Sequence, residues 1–386
     1  MSSHTHVTQS GRPPSLAAKL ARVDWLLLVM TGAIAVAGTA TLYSVAGGSF
    51  EPWAERHALR YLVGTLLVLI MALVPPRIWL ALAYPVYAVV LLALALVPLI
   101  GTEVLGARRW ITIGGSLTVQ PSELMKIALV VALARYYQWL PAARVSRMAW
   151  IAPPALMIVL PIVLTLRQPD LGTAALFAML GATMMFLAGV SWLYFAAGAA
   201  GLLIAFPVAW NSLHAYQQRR IEVFLDPDKD PLGAGYHITQ SKIALGSGGV
   251  EGKGFMQGSQ SQLDFLPEKH TDFAFTMFGE EWGFVGAMAL VVLYGAMLAK
   301  ILASALKAES QYARLVTAGA GLTLFIYVFI NIAMVSGLVP VVGVPLPLLS
   351  YGGSAMMSMM AVLGLAMSAG VHGRDTPRRG DLGPWW

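Results

Sequence analysis

Apolar runs of about twenty residues, the length a helix needs to cross a bilayer, recur from Trp25 to about residue 370 of this chain. Hydrocarbon offers no hydrogen-bond partners, so the backbone inside it must satisfy itself, and such runs fold as helices. Ten candidate helices lie near 25–46, 58–75, 78–100, 121–139, 149–166, 171–190, 192–210, 273–299, 312–336 and 347–370. Pro75-Pro76, Pro121, Pro153-Pro154, Pro169, Gly337, Pro340, Pro345 and Pro347 punctuate them. Only 11% of the 386 residues are charged and 58% are hydrophobic, whereas soluble domains carry about 25% charged residues. The expected fold is therefore an all-α polytopic membrane protein with about ten transmembrane helices.

Residues Met1 to Ala21 are polar and include His4, His6, Arg12 and Lys19. The first apolar run, from Trp25, is long enough to span and lacks a small-residue cleavage site, so it reads as a retained helix. The chain has no cysteine, which excludes disulfides and thiol chemistry. With the N-terminus inside, the cytoplasmic segments hold Arg12, Lys19, Arg22, Arg77, Arg135, Arg144, Arg147, Lys300, Lys307, Arg314, Arg374, Arg378 and Arg379. The short outer loops hold only Arg56, Arg60, Arg108, Arg109 and Arg167. That asymmetry predicts both termini in the cytoplasm. It also makes the net charge of +6 a topology signal and not the footprint of nucleic acid. The expected organisation is a tail over 1–24, a membrane domain over 25–371 and a tail over 372–386. A large outer loop over 211–272 separates helices 7 and 8. No internal repeat is visible, which weighs against an inverted-repeat transporter.

Four polar clusters fall on the expected outer side. In the first, Arg108-Arg109 precede Gln120-Pro121-Ser122-Glu123 and Lys126. Pro121 suits the first turn of a helix, and Glu123 and Lys126, three apart, share a face and can pair. The pair either neutralises itself or lines a functional cavity. The second is Arg167-Gln168-Pro169-Asp170, where Asp170 either caps a helix or pairs with Lys126 or Arg109. The third is the long loop, with Arg219, Arg220 and Asp226-Pro227-Asp228, then a surface-helix pattern from Gly235 to Leu245. Its glycine-rich stretch Gly246 to Gly254 fails the phosphate-loop and dinucleotide registers, and reads as flexible turns or a backbone nest for an anion.

The fourth cluster crowds Glu268, Lys269, His270 and Asp272 against the start of an apolar helix. Charges at a membrane boundary are costly unless something uses them. Asp272 is either a helix cap or a reactive carboxylate. His270 is a base or ligand candidate, although no zinc-type spacing surrounds it. A metal would enter only through carboxylates and phosphates, as Mg²⁺ or Mn²⁺ does. Glu280 and Glu281 lie about 12–13 Å further along the helix at 1.5 Å per residue, so a structural or partner-contact role is expected for them.

These clusters, in this order, resemble the SEDS family (shape, elongation, division and sporulation) of polytopic peptidoglycan polymerases. The resemblance rests on Gly106-Ala107-Arg108-Arg109-Trp110, Gln120-Pro121-Ser122-Glu123 with Lys126, and Gln168-Pro169-Asp170-Leu171-Gly172-Thr173. It continues through Gly235-Tyr236-His237-Ile238-Thr239-Gln240-Ser241, Leu266-Pro267-Glu268-Lys269-His270-Thr271-Asp272-Phe273 and Pro345-Leu346-Pro347-Leu348-Leu349-Ser350-Tyr351-Gly352-Gly353-Ser354. Asp230 to His237 and Gln260 to Pro267 look most like the elongation branch, with the division branch as the nearer alternative. The resemblance implies a ten-helix glycosyltransferase that polymerises lipid II on the outer face of the bacterial cytoplasmic (inner) membrane. It implies a class B penicillin-binding protein as partner, among other membrane proteins of the elongation complex. It also implies Asp272 as the catalytic residue and Arg109, Glu123, Lys126 and Asp170 as pocket residues.

The chemistry such a transfer needs is one base at the acceptor hydroxyl and cations on a departing diphosphate. Asp272 fits the base, tuned by Lys269 and His270. Arg109, Lys126, Arg219 and Arg220 fit the clamp, since arginine forks match phosphate oxygens. On residue logic alone, a lipid flippase without chemistry or a scaffold for the transpeptidase stays open.

Overall fold

The computed structural model describes residues 15–104, 107–114, 117–212, 215–226, 230, 233–262, 266 and 268–373. His4, His6, Arg12, Gly106, Pro227, Asp228, Pro231, Pro267 and the tail from Arg374 lie outside those residues. In chain order the helices are α1 (Leu16–Ala21), α2 (Trp25–Val45), α3 (Ala54–Leu73), α4 (Pro76–Ile100), α5 (Pro121–Trp139), α6 (Met148–Leu166), α7 (Leu171–Leu187) and α8 (Trp192–Ser212). The long loop then builds α9 (Ala215–Leu225), α10 (Ala234–Ser247) and α11 (Ser259–Gln262). It is followed by α12 (Ala274–Lys307), α13 (Gln311–Val335) and α14 (Gly353–His372).

Every one of the ten expected segments coincides with a helix, and seven are long and apolar enough to cross a membrane. α5 misses that description because it carries Glu123, Lys126 and Arg135, and α7 is a shorter apolar helix. Two boundaries need correction. The last helix starts at Gly353 and not near 347, because Pro345 and Pro347 hold the chain in turns and Leu348 takes a left-handed φ of 67°. α12 runs eight residues past the expected end, to Lys307. The all-helical expectation also missed a small antiparallel sheet, β1 (Thr102–Val104), β2 (Ala107–Ile113) and β3 (Leu117–Val119), in the order β1-β2-β3. It presents Arg109 on β2.

α5 is the axis of the bundle, and nearly all its residues are buried. α4, α6, α7, α13 and α14 pack around it, and α14 also lies along α3. Prolines inside α4 and α6 explain four of the polar side chains in this packing. A proline at position i leaves the carbonyl at i−4 without its helical donor, and in hydrocarbon that carbonyl needs another. Pro85 frees Ala81 O, which takes a hydrogen bond from Arg135 at 2.9 Å, and Arg135 also donates to Leu80 O at 2.8 Å. Pro98 frees Leu94 O, which Gln168 reaches at 2.8 Å. Pro154 frees Trp150 O for the Tyr136 hydroxyl at 2.7 Å, and Pro161 frees Met157 O for the Tyr87 hydroxyl at 2.8 Å. Buried Arg135 and Gln168 are thus explained without invoking a pathway. α8 stands apart from this packing, with every residue from Ala196 to Pro207 exposed.

The glycine-rich stretch forms turns whose backbone is committed to α12. α12 breaks at Gly283, whose φ is 66°. Phe284 and Val285 beyond the break donate to Gly249 O at 2.9 Å and Val250 O at 3.1 Å. In return Lys253 and Gly254 donate to the carbonyls of Glu280 and Glu281, each at 3.0 Å. A side chain on Gly252 would run into the Glu281 carbonyl, so only glycine allows this backbone-to-backbone contact. Glu280, fully buried, completes the joint. Its carboxylate takes Lys253 Nζ at 2.6 Å, Ser259 Oγ at 3.1 Å and the Gln260 amide at 3.2 Å. Glu281 accepts from Ser44 of α2. Both glutamates are structural, as their distance from Asp272 suggested.

Candidate functional site

Two acidic centres lie at the face that carries the long loop. The first is built on α5, α7 and β2. Glu123 and Lys126 pair at 2.7 Å, both buried. Tyr327 of α13 donates to both Glu123 oxygens, at 2.9 and 2.8 Å, and Ser358 of α14 donates at 2.7 Å. Lys126 also donates to the Tyr327 hydroxyl, so its charge is spent inside the bundle. Asp170 does both things open to it. Its carboxylate caps α7 through the Thr173 amide at 3.1 Å and hydroxyl at 2.9 Å, and lies 3.7 Å from the Arg109 guanidinium. Arg109 donates to Pro169 O at 2.6 Å and keeps 28% of its side chain exposed. Gln168, pinned by Leu94 O, holds this turn in place.

The second centre is Asp272. It does not cap α12, because the N-cap is Phe273 and makes no side-chain cap bond. A tight turn carries it: Glu268 O accepts from the Thr271 and Phe273 amides, both at 3.2 Å, and Thr271 Oγ1 donates to Glu268 Oε2 at 2.8 Å. Among the described residues the Asp272 carboxylate makes no hydrogen bond. Burial first, then repulsion from Glu268, push its carboxyl up to about 7, against the pull of Arg220. The tuning groups are thus Glu268 and Arg220, in place of the expected Lys269 and His270.

The wall between the two centres is Val342 to Val344. Gly172 at the start of α7 packs on Val342, and a Cβ on Gly343 would lie 3.4 Å from Asp272 Oδ2. α13 serves both sides: Tyr327 reaches Glu123, and Asn331, one turn on, donates to Asp272 O at 3.0 Å. The sequence reading passed over Tyr327, Ser358 and Asn331. A lone asparagine in a 25-residue apolar helix was the available signal.

Other expected residues turn elsewhere. His270 stacks on Trp53, with ring centroids 4.6 Å apart, and its amide-bond carbonyl takes the Tyr351 N–H at 2.8 Å. Burial chiefly lowers the pKa of its imidazole, with Glu268 opposing. Buried Lys269 lines a separate cavity of about 520 Å³ with Ser44, Glu51 and Trp53. Arg219 is exposed and pairs with Asp230 at 3.1 Å, which leaves Arg220 as the loop cation felt by Asp272. Among the described residues no three His, Asp or Glu side chains converge as a metal cage.

The sequence profile of the FtsW, RodA and SpoVE cell cycle proteins matches residues 18–375. The peptidoglycan glycosyltransferase MrdB of Escherichia coli K12 is 41% identical over 361 residues, covering 91% of this chain and 94% of MrdB. A probable peptidoglycan glycosyltransferase FtsW of Trichlorobacter lovleyi is 35% identical over 360 residues, covering 91% of this chain and 93% of its own. A chain solved in a peptidoglycan synthase complex that coordinates polymerization and crosslinking superposes with a TM-score of 0.81 at 34% identity, over 92% of this chain and 99% of that one. The rod shape determining protein RodA of Thermus thermophilus superposes at 0.69 and 30% identity, over 92% and 98%. With a family profile covering nearly its whole length and a relative at 41% identity, this polytopic membrane protein belongs to the FtsW/RodA/SpoVE family of cell cycle proteins.

Proposed function

We propose that this chain is a peptidoglycan glycosyltransferase that polymerises lipid II during cell elongation, with Asp272 as the catalytic base. The observation that carries the reading is a carboxyl held near pH 7, without a hydrogen bond among the described residues, at the loop face of a membrane bundle. A base poised near the working pH is the efficient one. Asp272 takes the proton of the acceptor hydroxyl as that oxygen attacks the anomeric carbon, and the undecaprenyl diphosphate leaves from the opposite face. A diphosphate leaves well, so a second protonated carboxylic acid is not needed. Arg109 and Arg220 are the diphosphate clamp, since Lys126 is occupied by Glu123 and Tyr327. The buried Glu123–Lys126 pair shapes the floor. We assign no protein cage to a divalent cation. In this reading Mg²⁺ or Mn²⁺ would ride on the diphosphate oxygens, and no step depends on it.

The 41% identity to MrdB over nearly the whole chain supports the elongation branch over the division branch at 35%. The reading sets the loop face outside the inner membrane, both termini inside, and a class B penicillin-binding protein alongside. The apolar groove between α12 and α13, lined by Tyr294, Leu324 and Phe329, is a contact consistent with that partner. Incubating the purified full-length protein with lipid II tests the function. Glycan strands digestible by a muramidase are expected, whereas lipid movement across vesicles without new glycosidic bonds would make the protein a flippase.

A further inference from the structure

Asn331 is fully buried about one turn from the C-terminal end of α13, yet its side chain does specific work. The amide nitrogen has two hydrogens, and each goes to a backbone carbonyl of a different segment. One is Asp272 O at 3.0 Å, and the other is Val344 O at 2.7 Å. Neither carbonyl has a donor from regular structure. In the first turn of α12 the amides of Thr276 and Met277 donate to Phe273 O and pass over Asp272 O. The Asn331 carbonyl oxygen has no partner among the described residues. Leaving a buried acceptor open is costly, so an asparagine here makes physical sense through its two donations. The opposite amide orientation would set oxygen against two carbonyl oxygens, so the donor assignment is fixed by the neighbours.

The two carbonyls belong to the two strands of chain that define the Asp272 carboxylate. One is its own residue, and the other flanks Gly343, the residue that faces Asp272 Oδ2. We infer that Asn331 is the positioning residue for Asp272, clipping it to the Val342–Val344 wall and thereby setting the depth and direction of its carboxylate. The clip acts on geometry and does not touch substrate. This inference rests on the proposed catalytic role of Asp272. Misplacing a reacting group by about 1 Å costs on the order of 100-fold in rate, so releasing one end of the base matters more to turnover than to binding.

The test uses the full-length protein, wild type beside Asn331→Ala and the equal-volume Asn331→Asp, with lipid II varied over its saturation range. The expected result is a kcat lowered about 10- to 100-fold at unchanged KM. Amide hydrogen exchange provides a second readout that needs no activity. Peptides covering 268–273 and 342–346 should exchange at least tenfold faster in the variants, while those of α5 keep their wild-type rates. An unchanged kcat, a raised KM at full kcat, or unchanged exchange in both peptides overturns the inference. If Asn331→Ala does not fold, Asn331→Asp is judged on the same two readouts. A wild type that makes no glycan overturns the functional reading instead, and the exchange rates alone then decide whether Asn331 holds the turn.

Discussion

Replacing Asp272 by asparagine removes a titratable group at nearly constant shape, and its effect on stability has a definite sign. In the unfolded chain the carboxyl has its usual pKa of 3.8, and in the folded protein it is raised to about 7. A raised folded pKa means that the folded state holds the proton more tightly. Below pH 3.8 both states are protonated and the group costs nothing. Between 3.8 and about 7 the unfolded chain releases its proton while the folded protein keeps it, so stability falls as pH rises. Above about 7 both are ionised and the full penalty stands. The interval corresponds to up to about 4 kcal/mol at about 1.4 kcal/mol per pKa unit. Asp272→Asn carries no such penalty, so it should be more stable than wild type at pH 8 by up to that amount and equal to it near pH 4. The assay is the thermal midpoint of both proteins in the same detergent across that range. Midpoints that run parallel from pH 4 to 8 would refute the claim that folding raises the Asp272 carboxyl.

Much of this architecture was legible because membrane helices announce themselves by length and hydropathy. Pro121 at the start of α5, the i, i+3 pair Glu123–Lys126 and the capping Asp170 were equally local, and each stands where expected. What escaped is non-local. The three-residue strands that flank β2 carry too little pattern to read from sequence, and without them the sheet bearing Arg109 is not legible. The fit of Gly249 and Val250 to the break at Gly283 links positions more than thirty residues apart, and no spacing rule reports it. The claims of Arg135 on Ala81 O and Gln168 on Leu94 O follow from prolines on another helix. Arg219 and Arg220 are indistinguishable in sequence, and only their directions in α9 separate them.

Glycan synthesis should rise with pH through an apparent pKa near 7, since the ionised base is the active form. Glu268→Gln should move that acidic limb to lower pH and Arg220→Gln to higher pH, both measured as initial rates against pH. Arg135→Leu strands the Ala81 carbonyl and should cost about 1–3 kcal/mol, whereas in a Pro85→Ala background the helix repairs itself and the cost shrinks. A double-mutant cycle on thermal midpoints measures that coupling. Lys253→Met leaves the Glu280 carboxylate buried without its cation and should cost about 3–5 kcal/mol, visible as loss of folded, monodisperse protein on size exclusion.

The most direct measurement is polymerisation of lipid II by purified wild type and Asp272→Ala at matched folded concentration. The proposed mechanism predicts glycan strands from the wild type and a loss of at least about 100-fold in the variant, the lower end expected for removal of a general base. Glycan synthesis by Asp272→Ala at the wild-type rate would contradict it.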